Sequence, residues 1–289
     1  MDWKGRRGSS NIEDRRESPS GGGGRTVRAG GVGGVGVIIV VLLALFLGVD
    51  PSQLLGTDSG QAPASGGTVE LTAQDKTEGE FVSVVLADTE EIWTGVFRDQ
   101  LGKAYRPPVL VLFKDATPSP CGGASEATGP FYCPGDRKVY LDTGFFTTLH
   151  QRLGASGDFA AAYVVAHEVG HHIQNELGIL GQANRVRQEV SAEESNAISV
   201  RIELQADCLA GIWARGAQEM LGVVGAGDLE EAVNAARQIG DDTLQRNAGQ
   251  RPMPHTFTHG TSEQRARWFM TGLKSGQMSD CDTFKARNL

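Results

Sequence analysis

The sequence predicts an α+β, mainly helical domain with a small sheet, preceded by one transmembrane helix. Three observations predict it. An uncharged stretch of twenty residues, 30–49, lies near the start of the chain. Short apolar or extended runs follow between residues 109 and 142. Beyond residue 158 apolar positions recur at helical spacing, each run opened by an acidic or hydroxyl residue. The length, 289 residues, suits a sizeable core, and the net charge of −8 conceals an uneven distribution. Four Cys are too few for a small disulfide scaffold, and 21% charged residues leave no room for many apolar spans. The acidic balance lacks the basic face of a general nucleic-acid binder, so no nucleic-acid partner is expected.

The elements follow in chain order. Residues 1–30 carry seven Lys/Arg against four Asp/Glu, a net +3, which leaves −11 for residues 31–289. Few apolar side chains and the tetrad Gly21–Gly24 predict a disordered basic tail. Residues 31–49 include the unbroken apolar run VIIVVLLALFL at 37–47, and twenty helical residues cover about 30 Å, the hydrocarbon thickness of a bilayer. No small-x-small cleavage site follows closely, since Gly48-Val49-Asp50-Pro51 comes next, so the span reads as a retained signal anchor. The seven basic residues before it place the tail in the cytoplasm and everything after it outside the cytoplasmic (plasma) membrane, as a single-pass protein. Residues 50–75, rich in Gly, Ser, Pro and Ala, read as a flexible linker, and 76–289 as one domain.

Within that domain Phe81, Val85, Ile92, Trp93, Val96 and Phe97 share helical spacing. Residues 109–113, after Pro107-Pro108, read as a buried strand, and 130–132 and 138–142 as two more around a turn at Pro134-Gly135-Asp136. Asp158 can cap a helix that runs through Leu177 and ends at Gly178. Ser191 with Glu194 forms a capping-box pattern for a helix to about residue 218, and Asp228 with Glu231 repeats it for one to about residue 245. Ser262 precedes a last helix over 263–274. Cys121, Cys133, Cys208 and Cys281 all follow the anchor, in the expected oxidising compartment. They permit two disulfides in three pairings, of which Cys121–Cys133, across a short Gly/Pro loop, is favoured and leaves Cys208–Cys281.

The chemistry sits in the stretch Ala166-His167-Glu168-Val169-Gly170-His171-His172. Positions i and i+4 of a helix differ by about 40°, so His167 and His171 share a face and can bind one Zn²⁺. Glu168, beside the first ligand, can act as general base toward a metal-bound water. His172 points about 100° away and is not a favoured ligand. A catalytic zinc needs a third protein ligand. A third His does not follow in the same motif, because Gln174 and Leu177 occupy the positions where Gly and His would stand. Glu203 on the next helix supplies a carboxylate instead. Asp207, one turn further on the same face, can accept the remaining ring N–H of a ligand His.

His167-Glu168-Val169-Gly170-His171-His172-Ile173-Gln174 and Glu203-Leu204-Gln205-Ala206-Asp207-Cys208 resemble the bacterial neutral zinc metallopeptidase family. So do Phe131-Tyr132-Cys133-Pro134, Val139-Tyr140-Leu141-Asp142, His259-Gly260-Thr261-Ser262-Glu263-Gln264-Arg265, and the start with Trp3-Lys4-Gly5-Arg6-Arg7 and Glu13-Asp14-Arg15-Arg16. The resemblance covers nearly the whole chain. It implies a zincin-like, membrane-anchored metallopeptidase of the Glu-ligand (gluzincin) group with one catalytic Zn²⁺, similar in site design to thermolysin. It also implies a His beyond the third ligand that stabilises the oxyanion, for which His259 is the first candidate and His255 the second. Arg265 reads first as a structural arginine and His150 as an ordinary helix or loop residue. The extended stretch 139–142 is a candidate for pairing with a peptide substrate.

The expected function is hydrolysis of peptide bonds outside the cytoplasmic membrane, with zinc on His167, His171 and Glu203 and water activated by Glu168. The alternatives are a zinc-binding, non-catalytic envelope scaffold and a metallohydrolase of a cell-wall amide. An intramembrane protease is excluded, because the motif lies about 120 residues beyond the span.

Overall fold

The computed structural model describes residues 1–17, 70–125, 129–151 and 153–289. The expected span, residues 31–49, and all but the last residues of the expected linker lie outside them. Among the described residues no helix is long and apolar enough to cross a membrane. The fold is mainly helical with a small sheet, as the sequence predicts.

The strands are β1 (Ile12–Asp14), β2 (Val109–Phe113), β3 (Ala116–Ser119), β4 (Gly122–Ser125), β5 (Phe131–Cys133) and β6 (Lys138–Asp142). The helices are α1 (Ala73–Val96), α2 (Gly144–Gln151), α3 (Asp158–Glu176), α4 (Ile179–Arg187), α5 (Ala192–Glu219), α6 (Asp228–Gln238), α7 (Asp241–Asn247) and α8 (Ser262–Ser275).

The main sheet has the order β1-β2-β6-β5, with β5 antiparallel and the other pairs parallel. Period-2 alternation divides β2 and β6 between two apolar faces. Leu110, Leu112, Val139 and Leu141 face the helices, while Val111, Phe113 and Tyr140 join a smaller cluster with Ala124 and Cys133. That second face is closed by the β3–β4 hairpin and the Cys121–Cys133 disulfide. Burial on both sides explains why β2 is apolar at every position. It also narrows the reading of residues 139–142 as a substrate-pairing strand: β2 pairs with all of β6 on one side, and β5 pairs with Lys138, Val139 and Tyr140 on the other. The sheet edge nearest the helical core is β5.

Helix α3 runs through the centre, buried from Phe159 to Gln174. It packs on α5, α6, α1 and the β5–β6 end of the sheet, while α8 packs along α5. Helix α3 is apolar nearly all round, as a core helix must be. Asp158 is its first residue rather than its cap. The cap is Gly157, at φ 104°, and the Glu231 carboxylate accepts from the Phe159 N–H at 3.1 Å. Glu231 thus caps α3 and not its own helix. The expected helix to residue 245 is broken at Gly240, whose Cβ position is taken by the Ser262 backbone. Capping boxes at Ser191/Glu194 and Thr261/Gln264 open α5 and α8, and one at Thr72/Asp75 opens α1, earlier than the linker reading allows.

The N-terminal segment departs most from expectation. Residues 1–17 are not a disordered tail but part of the domain. β1 pairs with β2 in the register Ile12↔Leu110, Glu13↔Val111, Asp14↔Leu112, and Ser9 N–H donates to the Ser83 carbonyl at 2.9 Å. Trp3 is buried against Phe81, edge to face at 5.4 Å. The charges that made the segment look solvated are paired: Arg6 with Asp88, Arg16 with Asp14, and Lys138 with Glu13. The Met1 amine donates to Asp158, the first residue of α3, at 2.6 Å.

Candidate metal and catalytic centre

His167 and His171 are one turn apart on α3, and their rings meet edge to face at 4.8 Å. Gly170, between them, lets α5 come close. A Cβ there would stand 3.0 Å from the Ala206 carbonyl oxygen and 3.2 Å from its Cα. The close crossing brings Glu203 of α5 to the two imidazoles. Its Oε2 lies 3.1 Å from His167 Nε2 and its Oε1 lies 3.6 Å from His171 Nε2. The donor atoms of the three residues all lie within 4.8 Å of one another, and all three side chains are buried.

Each imidazole is held from behind. His167 Nδ1 is 2.9 Å from Asp207 Oδ1, as the spacing of Glu203 and Asp207 predicts, and His171 Nδ1 is 2.9 Å from Gln174 Oε1. Both Nε2 atoms therefore face the Glu203 carboxylate. Asp207 itself is fully buried and also accepts from Tyr163 OH at 2.5 Å and from Arg265 Nε and Nη2 at 2.8 and 2.9 Å. Arg265 is the structural arginine the sequence suggested, completed by a bond from Nη1 to the Ile239 carbonyl. The sequence reading did not single out Tyr163 and Gln174. The available signal was their placement on α3, four residues before His167 and three after His171.

The donor set fits zinc on its own chemistry. Two neutral imidazoles and one carboxylate converge from a rigid, buried frame, which is the composition of a catalytic zinc site. Their field favours a cation. Burial alone would lower the pKa of His167, yet Asp207 and Glu203 raise it to about 10. Glu203 is held well below the usual carboxylate range despite its burial, chiefly by the His171 charge and its bonds to His167 and His171.

A cavity of about 90 Å³ opens over the three residues. Glu168 and His259 also line it, and Phe145, Leu153, Val164, Ile239 and Leu244 form an apolar wall. Glu168 is buried, and burial raises its carboxyl pKa. His259 is held by Asp241, whose carboxylate meets Nδ1 at 3.1 Å and accepts the His259 backbone N–H at 2.6 Å. Burial opposes the imidazolium, but Asp241 outweighs it and raises the His259 pKa. His255 is exposed on a 3₁₀ turn and does not line the cavity. His150 is exposed at the end of α2. His172 turns away, toward the Arg106 carbonyl at 2.7 Å and Tyr132 OH at 3.2 Å. Both expected disulfides are present, and Cys208–Cys281 ties the C-terminal turn to α5 beside Asp207.

The family model described as "Putative neutral zinc metallopeptidase" matches residues 1–284. The chain is 46% identical over 288 residues to the uncharacterised protein YpfJ of Escherichia coli strain K12, which covers 98% of this chain and 99% of that relative. It is 40% identical over 259 residues to the uncharacterised proteins Mb2605 of Mycobacterium bovis and Rv2575 of Mycobacterium tuberculosis, covering 85% of this chain and 86% of each. No solved structure matches the chain.

Proposed function

The chain belongs to the neutral zinc metallopeptidase family, and from that premise we propose that it hydrolyses peptide bonds with one zinc ion held by His167, His171 and Glu203. Bound zinc supplies a Lewis acid that polarises the scissile carbonyl and acidifies a water. The observation that carries the reading is the buried Glu168 carboxylate in the cavity above this ligand set. Burial raises its pKa above the ordinary carboxylate value, the direction that suits a general base. Glu168 takes the proton of the attacking water and passes it to the leaving amine. Asp241 holds His259 through Nδ1 and raises its pKa, which favours a ring that can donate from Nε2 to the oxygen on which negative charge develops. Asp207 keeps His167 in the tautomer that presents Nε2, with Tyr163 and Arg265 fixing the carboxylate in turn.

The reading includes membrane attachment through residues 31–49 and a domain outside the cytoplasm. The apolar run supports the first. The two disulfides, which persist in oxidising compartments, support the second. The test is cleavage of a peptide library by the zinc-loaded full chain and by Glu168→Gln. The variant should keep its zinc and lose activity by at least about 10²-fold. Equal cleavage by both proteins refutes the assignment.

A further inference from the structure

We infer that Gln174 and Gln205 form an amide relay that sets which nitrogen of His171 faces the ligand cluster. The inference rests on the zinc reading above. Its members are buried and continuous. His171 Nδ1 meets Gln174 Oε1 at 2.9 Å. Gln174 Nε2 donates to the Ile202 carbonyl at 2.7 Å and to Gln205 Oε1 at 3.1 Å. Gln205 Nε2 donates to the Cys281 carbonyl at 2.9 Å.

The direction of this chain follows from its ends. Backbone carbonyl oxygens only accept, so Ile202 and Cys281 require an NH₂ group from the amides that face them. Each amide oxygen is thereby turned the other way, Gln205 Oε1 toward Gln174 and Gln174 Oε1 toward His171. An oxygen at His171 Nδ1 accepts, so Nδ1 must carry the proton. The lone pair of the neutral ring then lies on Nε2, on the side of Glu203. Turning the Gln174 amide over would set oxygen against oxygen at Ile202 and at Gln205, in a place water does not reach. His167 receives the same orientation from a carboxylate, Asp207, whose charge Arg265 balances. His171 receives it from a neutral amide, which adds no further negative charge beside Glu168 and Glu203. Gln174 and Gln205 are positioning residues, and the Cys208–Cys281 disulfide holds the last acceptor in place.

Zinc affinity, measured by chelator competition on the full chain, separates this role from packing. Gln174→Leu should lose about 10–100-fold in affinity, the usual cost of a lost partner behind a ligand histidine. Gln174→Glu, which still accepts from Nδ1–H but loses the donor to the Ile202 carbonyl, should lose affinity, though less than Gln174→Leu. A packing role gives the reverse order, because Leu fills the buried site and Glu brings a charge into it. Wild-type affinity in the Leu variant, or equal loss in both, overturns the inference. The ¹⁵N spectrum of metal-free wild type is the second measurement and needs no variant. It should show a proton on His171 Nδ1, and an unprotonated Nδ1 overturns the relay. Failure of wild type to bind zinc would refute the zinc reading and leave the tautomer result standing.

A separate observation carries a second proposal: residues 1–17 and the domain at 70–289 lie on the same side of any membrane that the apolar segment enters. β1 is joined to β2 by backbone bonds, including Leu110 N–H to the Asn11 carbonyl and Arg15 N–H to the Leu112 carbonyl, both 2.8 Å. Such a ladder does not form across a hydrocarbon layer about 30 Å thick. A single crossing with the tail inside and the domain outside would separate β1 from β2. Arg7 and Glu219 are well exposed, and all four native cysteines are in disulfides, so Arg7→Cys and Glu219→Cys each add one reactive thiol. Labelling with a membrane-impermeant maleimide, in right-side-out and inverted vesicles, should modify both positions from the same side. Modification from opposite sides overturns the proposal.

Discussion

Asp207→Asn tests the frame behind the ligands most directly. The wild-type carboxylate is fully buried and accepts four bonds, two from Arg265, one from Tyr163 and one from His167. The substitution changes its volume little and removes its charge. The amide oxygen can keep part of the set, but its NH₂ now faces donors. The Arg265 guanidinium, 2% exposed, is left without an anion. Breaking a buried pair from one side costs about 3–5 kcal/mol, a large part of the roughly 5–15 kcal/mol that holds a typical domain together. Adding Arg265→Met removes the stranded cation, so the double variant should be more stable than Asp207→Asn by at least about 1 kcal/mol. Guanidinium unfolding of the two single variants and the double variant gives the three numbers. If the single costs add, or if Asp207→Asn costs less than about 1 kcal/mol, the claim that this pair is mutually dependent fails.

Trp3→Ala should destabilise the fold by about 3 kcal/mol, the range for a buried Trp, where a disordered tail would show less than about 0.5 kcal/mol; thermal unfolding decides. Replacing Cys208 and Cys281 together by Ser opens a link between residues 73 apart, and the chain-entropy relation gives a loss of about 4 kcal/mol in denaturant unfolding. Asp75 is held at about 2 by its bonds from Lys114 and Thr72. A carboxyl depressed in the folded state stabilises it above its unfolded pKa of about 4, and the contribution is lost as pH falls through about 2. The stability difference between wild type and Asp75→Asn should therefore be present at pH 6, shrink below about pH 4 and vanish only below about pH 2.

What could be read from the sequence was what depends on local spacing. The ligand histidines, Glu203 and Asp207 lie one turn apart in pairs, and a helix of period 3.6 puts each pair on one face whatever surrounds it. The capping boxes at Ser191 and the strands at 109–113 and 138–142 are equally local. What could not be read depends on partners distant in sequence. Asp158 and Glu231 look like caps of their own helices, yet Glu231 caps the helix that Asp158 begins, accepting from Phe159 N–H 72 residues earlier. How much of residues 139–142 is free to bind a peptide turns on β2 along one side and on β5 as far as Tyr140 along the other, which spacing does not encode.

The same reasoning explains why composition misled most at the N-terminus. A segment with many charges reads as solvated because isolated charges are costly to bury. In residues 1–17 several charges are paired, Arg6 with Asp88 and Glu13 with Lys138 across the fold and Arg16 with Asp14 within the segment, so the cost falls and Trp3 and Ile12 can dock. Several of the domain's glycines serve helix crossings. A Cβ at Gly211 would strike the Phe269 carbonyl, and one at Gly272 the Cys208 carbonyl, so α5 and α8 lie backbone to backbone. Gly170 does the same for α3 and α5. These contacts set the depth at which α5 carries Glu203, Gln205 and Asp207 past the two histidines. The ligand geometry is thus fixed by side chains that are missing as much as by those that bind.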